Sequence, residues 1–225
     1  MTSAVTISDD YTGDVSGSPD AQRRLTPHAE ILKLSVGPMD NNVYVVISRA
    51  SRSALVIDAA NDGDRIVALL SELDVIPRVV VTTHKHADHW QGLAQLRSGV
   101  AISTAAGSVD APDIPLDTDR MLDDGDTIEL GDLTLQVISL VGHTPGSIAL
   151  ALTDDVTHLF TGDSLFPGGL GKTNSPEDFD SLYTDVTTKL FDVYPDDTIV
   201  YPGHGKDTTL GAERPALAQW RERGW

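Results

Sequence analysis

The run His84-Lys85-His86-Ala87-Asp88-His89 decides how this chain folds and which chemistry it supports. It follows Val79-Val80-Val81-Thr82-Thr83, an apolar and β-branched stretch that predicts a buried strand. Side chains two positions apart in an extended segment point the same way, so we expect His84 and His86 to bind one ion together. The pair Asp88-His89 follows the turn and is expected to face a second ion beside the first. Imidazole and carboxylate are the usual zinc ligands where thiolate is absent, and the chain has no cysteine.

Further candidate ligands stand just past other apolar stretches of strand length. These are His143, Asp163 and His204. Strand ends and the loops after them are where a rigid scaffold presents functional groups. The shared context predicts that these side chains join the run His84–His89 in one site. His28 and His158 lack this context, and we interpret them as ordinary structural or surface histidines.

The whole-chain composition favours a globular enzyme over a nucleic-acid-binding or membrane protein. The chain has 225 residues, 40% of them hydrophobic, and a formal net charge of −18. So acidic a surface repels phosphate backbones, which argues against nucleic acid as a partner. No apolar run approaches the roughly 20 residues that cross a bilayer, and the N-terminus has no secretory pattern. We therefore expect no membrane partner and a cytoplasmic location, while the oligomeric state stays open.

The order of predicted elements indicates the architecture. Residues 1–28 are polar, and we interpret them as an extension before a single domain over residues 29–225. Ser175 followed by Pro176 predicts a helix start, and Val100–Ser103 is predicted to be a short strand. Both halves of the domain mix hairpins with helices. This predicts an α/β (α+β) fold in which two sheets pack together with helices outside, a four-layer αββα sandwich.

Sequence motifs around the candidate ligands resemble those of the metallo-β-lactamase superfamily. They are the run His84–His89, Gly142-His143-Thr144-Pro145-Gly146-Ser147, Gly162-Asp163-Ser164-Leu165-Phe166 and Pro202-Gly203-His204-Gly205. The resemblance is greatest to the glyoxalase II (hydroxyacylglutathione hydrolase) branch and extends from about Glu30 to His204. It implies the αββα sandwich of that superfamily, in agreement with the layers predicted above.

The resemblance also implies roles for individual residues. It implies one metal on His84, His86 and His143, a second on Asp88, His89 and His204, and Asp163 as the bridge between them. The expected metals are two zinc ions, with iron or manganese as alternatives. Asp58 matches an aspartate that supports the ligands from outside the metals' own shell, where carboxylates fix imidazole orientation. Lys172 matches a basic residue that holds a carboxylate of glutathione. Asn174 stands near a common aromatic position, so other thiol carriers also fit.

The expected activity is hydrolysis of a small-molecule thioester by a metal-bridging hydroxide. Asp88 would orient or deprotonate the nucleophile as well as bind metal. The thiolate is expected to leave without a strong general acid, and Lys172 is the predicted substrate-binding residue.

Several other functions share parts of this pattern. A persulfide dioxygenase has a similar first motif but uses one iron held by two histidines and one aspartate. An acyl-homoserine-lactone lactonase shares the ligand set. A true β-lactamase is disfavoured because the zinc-binding cysteine common there is absent. The complete ligand set argues against a non-catalytic, metal-stabilised module, and the charge of −18 argues against an RNA-processing enzyme.

Overall fold

Two β-sheets lie face to face in the structure, a computed structural model that describes residues 5–224. The first sheet has eight strands, each beside the next one in chain order. They are β1 (Ile7–Ser8), β2 (Ala21–Leu25), β3 (Ala29–Val36), β4 (Asn41–Ser48), β5 (Ser53–Ile57), β6 (Ile76–Thr82), β7 (Ser103–Gly107) and β8 (Arg120–Leu122). Strands β5 to β8 run parallel to one another, so their carboxyl ends meet at one edge.

The second sheet is built from the later part of the chain. The later strands are β9 (Thr127–Leu130), β10 (Leu133–Ser139), β11 (Ile148–Thr153), β12 (Thr157–Gly162), β13 (Leu165–Phe166), β14 (Gly169–Leu170), β15 (Ile199–Pro202) and β16 (Thr208–Thr209). Six of them form the sheet, in the order β16-β15-β12-β11-β10-β9, while β13 and β14 form a separate hairpin. Strands β12 and β15 are parallel, and the other pairs in the sheet are antiparallel.

Helices cover the outer faces of both sheets. They are α1 (Gly63–Glu72), α2 (Leu93–Gly99), α3 (Pro176–Asp185), α4 (Leu210–Glu213) and α5 (Leu217–Arg223). The predicted helix start is confirmed, because the Ser175 side chain accepts a hydrogen bond from the Asp178 amide at 3.1 Å. Over residues 5–224, no helix is long and apolar enough to cross a membrane.

Alternation along the strands divides the apolar residues among separate cores. In β3, Ile31 packs into the core between the sheets, whereas Leu32 and Leu34 pack into the core that includes helix α1. The rings of Phe160 and Tyr201 stack in the central core. A third core joins the second sheet to α3 and α5. The four-layer αββα prediction is therefore confirmed.

One predicted strand was wrong. The strand expected at Val100–Ser103 lies instead at Ser103–Gly107. The sequence Ser-Thr-Ala-Ala-Gly has weak β-propensity and therefore gives little signal. Val100 and Ile102 attracted the prediction because they are β-branched, but they pack against the core from the loop before the strand.

Part of the predicted N-terminal extension contributes to the first sheet. Strand β1 pairs in parallel with β2, and β2 pairs with β3. Residues 1–4 of the predicted extension lie outside the described residues, as does Trp225. The division of the chain at residue 28 stays a prediction.

Candidate metal centre

The run His84–His89 lies in the loop at the carboxyl end of β6. His84 and His89 are almost fully buried, at 1% and 0% exposure, whereas His86 is exposed. A single 3-10 turn over Ala87–His89 reverses the chain direction. That turn brings the imidazole of His89 back beside His84, with ring centroids 4.1 Å apart. The side chains of these adjacent residues therefore lie together at the end of the strand.

The other predicted ligands come from the second sheet. His143 follows β10, Asp163 follows β12 and His204 follows β15, and these three strands point the same way. Their carboxyl ends meet the loop of His84–His89 across the interface between the sheets. His86 Nδ1 lies 3.0 Å from His143 Nε2, and His204 Nε2 lies 3.3 Å from Asp88 Oδ2.

The seven predicted ligands form overlapping groups of potential metal-binding atoms. The groups are His84, His86 and His143; His84, His89 and Asp163; and Asp88, His89 and His204. Within each group the donor atoms lie within 4.8 Å of one another. Asp163 is central, since its carboxylate lies 3.4 Å from His89 Nε2 and 3.7 Å from both His143 Nε2 and His204 Nε2. This is the arrangement expected of two triads around one bridging carboxylate.

Three buried atoms in this cluster lack a hydrogen-bond partner, and they test whether a metal fits. They are His84 Nε2, His89 Nε2 and Asp163 Oδ1. A buried polar atom without a partner is costly. In His89, the other ring nitrogen, Nδ1, is hydrogen-bonded to Asp58 Oδ2 at 2.8 Å. Only Nε2 is left to face the cluster. The donor set therefore fits metal ions bound by imidazole and carboxylate.

The electrostatics of the cluster also suit a cation. Burial lowers the pKa of His84, with a contribution from the neighbouring His89. Burial alone would lower the pKa of His89, but the carboxylates of Asp58 and Asp163 outweigh it and raise that pKa. Burial opposes ionisation of Asp163, yet its interaction with His89 holds its pKa far below the ordinary range. A bound divalent metal would replace the proton on His89, so metal binding and proton release are linked here.

Asp58, the predicted supporting carboxylate, contacts the start of the loop His84–His89. Its carboxylate accepts hydrogen bonds from the Thr83 amide at 2.7 Å and the Thr83 hydroxyl at 2.8 Å, besides the His89 contact. The residue itself has a φ of 59°, a left-handed conformation that side chains rarely adopt. These contacts fix both the orientation of His89 and the start of the ligand loop.

A second buried carboxylate, Asp110, ties the two ligand loops together and was not predicted. It is 1% exposed and accepts hydrogen bonds from the Lys85 amide at 3.0 Å and the Gly146 amide at 2.9 Å. It also accepts from the Thr144 hydroxyl at 2.5 Å. Asp110 thus spans the backbone beside His84, His86 and His143. An isolated acid in an acidic chain gives no local signal for such a role.

Two histidines outside the motifs have ordinary partners, as predicted. Exposed His28 pairs with Asp154, and Nδ1 of buried His158 lies 2.9 Å from the Tyr201 hydroxyl. Neither belongs to the ligand groups found among residues 5–224.

The match to a known family covers most of the chain. Residues 36–204 match the metallo-beta-lactamase superfamily. The chain belongs to this superfamily. The matched residues include every motif that carries a candidate ligand, from His84 to His204.

Two relatives within the metallo-β-lactamase superfamily have different activities. The chain is 32% identical over 186 residues to hydroxyacylglutathione hydrolase GloC of Haemophilus influenzae, covering 72% of this chain and 85% of GloC. It is 34% identical over 168 residues to the human mitochondrial persulfide dioxygenase ETHE1, covering 72% of this chain but only 62% of ETHE1. Among solved structures it resembles TTHA1623 in a di-iron-bound form, with a TM-score of 0.67, 27% identity, and coverage of 81% of this chain and 96% of TTHA1623. The family therefore supports a metal-dependent enzyme.

Proposed function

We propose that this protein is a dinuclear metal-dependent hydrolase of a small thioester. The observation that carries the proposal is the second group of donor atoms, Asp88, His89 and His204, which stands complete beside the first. A centre that binds one iron through two histidines and one aspartate has no need of this second group. The similarity to GloC supports the same choice.

Each of the two proposed metal ions has its own set of ligands. His84, His86 and His143 would hold one ion, Asp88, His89 and His204 the other, and Asp163 would bridge them. When bound, two divalent ions supply a hydroxide at neutral pH and positive charge for a developing oxyanion. Zinc, iron and manganese all bind imidazole and carboxylate ligands, so this donor set does not choose between them.

Asp88 is the proposed acceptor of the proton from the attacking water. Burial opposes its ionisation, but a hydrogen bond from Asn41 and the charge of His89 hold its pKa below the ordinary value. The Asn41 amide donates to Asp88 Oδ2 at 3.0 Å and orients the carboxylate. An ionised, oriented carboxylate can accept a proton during attack on a thioester carbonyl. A cysteine-type thiol has a pKa of about 8.5, so a leaving group of this kind would depart as thiolate without an acid.

Lys172 contacts the candidate metal centre through its backbone and is the proposed substrate-binding residue. Its backbone carbonyl accepts a hydrogen bond from His143 Nδ1 at 2.7 Å, while its side chain is exposed. Among residues 5–224 the Lys172 side chain makes no ion pair, in contrast to Lys85, which pairs with Asp113. A cavity of about 500 Å³ begins at the next residue, lined by Thr173–Pro176, Phe179, Asp180, Arg221 and Gly224, and Asp180 pairs with Arg221 at 3.7 Å. A free cation beside this cavity suits a thioester whose thiol portion carries a carboxylate.

We expect Lys172→Ala to raise KM about tenfold for a thioester with a carboxylate on its thiol portion, with kcat nearly unchanged. The matched neutral amide of the same thioester should show no such increase. Steady-state kinetics on both substrates measure the difference. Lys172→Arg should restore KM, and Arg97→Ala, which removes an exposed charge on α2, is the control. Equal KM values for the two substrates in Lys172→Ala would remove Lys172 from the binding site.

Metal quantification with a substrate panel tests the proposed activity. We expect two metal ions per chain and rapid thiol release from thioesters, and slower turnover of acyl-homoserine lactones. The similarity to ETHE1 makes persulfide dioxygenase the second candidate. One iron per chain, with oxygen consumption and sulfite production from a persulfide, would replace the hydrolase proposal with that activity.

A further inference from the structure

The loop that carries His204 rests on a buried polar cluster between the two sheets. Lys33, on β3, is 0% exposed, and its ammonium donates to Gly205 O at 2.8 Å and to Asp207 Oδ1 at 2.7 Å. The carbonyl of Gly205 also accepts from the Asn42 side chain at 2.8 Å. The peptide directly after His204 is therefore fixed from the interior of the protein.

The N-terminal segment completes this cluster. The Tyr11 hydroxyl donates to Asp207 Oδ2 at 2.7 Å. The Gly13 carbonyl accepts from the Lys33 ammonium at 2.7 Å and from the Asp207 amide at 3.0 Å. We call the side chains of Tyr11, Lys33 and Asp207 the clamp. Through it, the first polar segment of the chain touches the loop that presents a candidate ligand.

The charges of the clamp depend on each other. Burial lowers the pKa of Lys33 and raises that of Asp207, and the charge of each partner is the largest effect that opposes these two shifts. Loss of one partner leaves the other charge buried and unpaired, which is strongly destabilising. The Tyr11 hydroxyl is the one member that can be removed without changing the charge balance. It is also only partly buried.

Within the second triad, only His204 lies on a loop that the clamp holds. Asp58 and Asp110 hold the loops that carry His84, His86 and His143, Asp58 also bonds to His89 of the second triad, and neither carboxylate contacts the clamp. His204 belongs to the second triad alone, and its loop is held by the clamp. The side chain of His204 is 25% exposed, so packing around the ring itself restrains it less than it restrains His89, at 0%.

We propose that the clamp is a positioning device that sets the affinity of the second metal position, independently of the first. The inference rests on the proposed dinuclear site. The N-terminal segment would thereby affect the metal centre. Occupancy of the second metal position would depend on the clamp contacts, which lie away from both ions. The clamp residues act through His204 and touch no substrate.

Stepwise removal of zinc from the loaded full-length protein tests this inference. Zinc per chain is measured after equilibration with increasing concentrations of a chelator. We expect Tyr11→Phe to release its second zinc at about two- to tenfold lower chelator concentration than the wild type, as for the loss of one hydrogen bond, with release of the first zinc unchanged. Tyr183→Phe is the matched control, because the Tyr183 hydroxyl is also partly buried and donates to Leu217 O at 3.1 Å, far from the clamp.

A double variant separates positioning from general destabilisation. If the clamp acts through His204, adding Tyr11→Phe to His204→Ala changes the release of the remaining zinc no further. Equal release curves for Tyr11→Phe and the wild type, or equal weakening of both zinc ions, would overturn the inference. So would a wild type that holds a single zinc. The expected release pattern without thiol release would support the clamp and overturn only the proposed substrate.

Discussion

Asp88→Ala is expected to lower kcat for the preferred thioester by about a thousandfold. The carboxylate is the acceptor placed to take the proton of the attacking water, and it also belongs to the donor group of the second metal. Its loss leaves the Asn41 amide and His204 Nε2 without the oxygen that lies 3.0 Å and 3.3 Å from them. Steady-state rates of thiol release on purified, zinc-loaded variants measure the effect.

The two roles of Asp88 can be separated by adding metal. If Asp88 served only as a ligand, excess zinc in the assay would restore the rate of the alanine variant. We expect excess zinc to refill the site without restoring turnover, because the proton acceptor is still missing. Asp64→Ala removes an exposed carboxylate at the start of α1 and controls for the change in net charge. Full activity in Asp88→Ala would refute the assignment.

The metal centre was predictable because its signals are local. The predicted ligands of His84–His89 lie within six consecutive residues, so one strand and one turn are enough to bring their side chains together. His143, Asp163 and His204 each follow a recognisable strand, and parallel strands bring their ends to one edge. The layers followed from the alternation of hairpins and helices. None of this required knowledge of which distant residues touch.

The supporting residues were not predictable, because their roles come from contacts far apart in the chain. Asp110 bonds to residues 25 and 36 positions away, and nothing around it marks it as buried. Lys33 interrupts an apolar strand, a pattern typical of a solvent-facing position, yet the second sheet and the N-terminal segment cover it. The polar segment around Tyr11 has the composition of an extension. The hydrogen bond from Tyr11 to Asp207 joins residues 196 positions apart, so no local signal indicates it. Charge pairing in the interior leaves no periodic signal.

The close packing around the bridging carboxylate leads to a second large effect, at Gly203. A Cβ atom at this position would lie 2.3 Å from Asp163 Oδ1 and 2.7 Å from His89 Cε1. The backbone cannot retreat, because the Gly203 amide donates to Gly162 O at 2.8 Å and its carbonyl accepts from the Asn42 amide at 2.7 Å. Asp163 and His89 would therefore have to move away from the positions in which both would bind the second ion.

We expect Gly203→Ala to lower zinc content below one ion per chain under conditions where the wild type keeps two. The rate of thiol release should fall by about a hundredfold or more, as for a displacement near 1 Å at a reacting centre. Elemental analysis and circular dichroism on the same sample separate metal loss from unfolding. Gly169→Ala is the matched control, since its Cβ would meet only the flexible end of Arg223, at 2.9 Å, and both zinc content and rate should stay within about twofold of the wild type. Two tightly held zinc ions in folded Gly203→Ala would show that Asp163 does not bridge them from the position seen here.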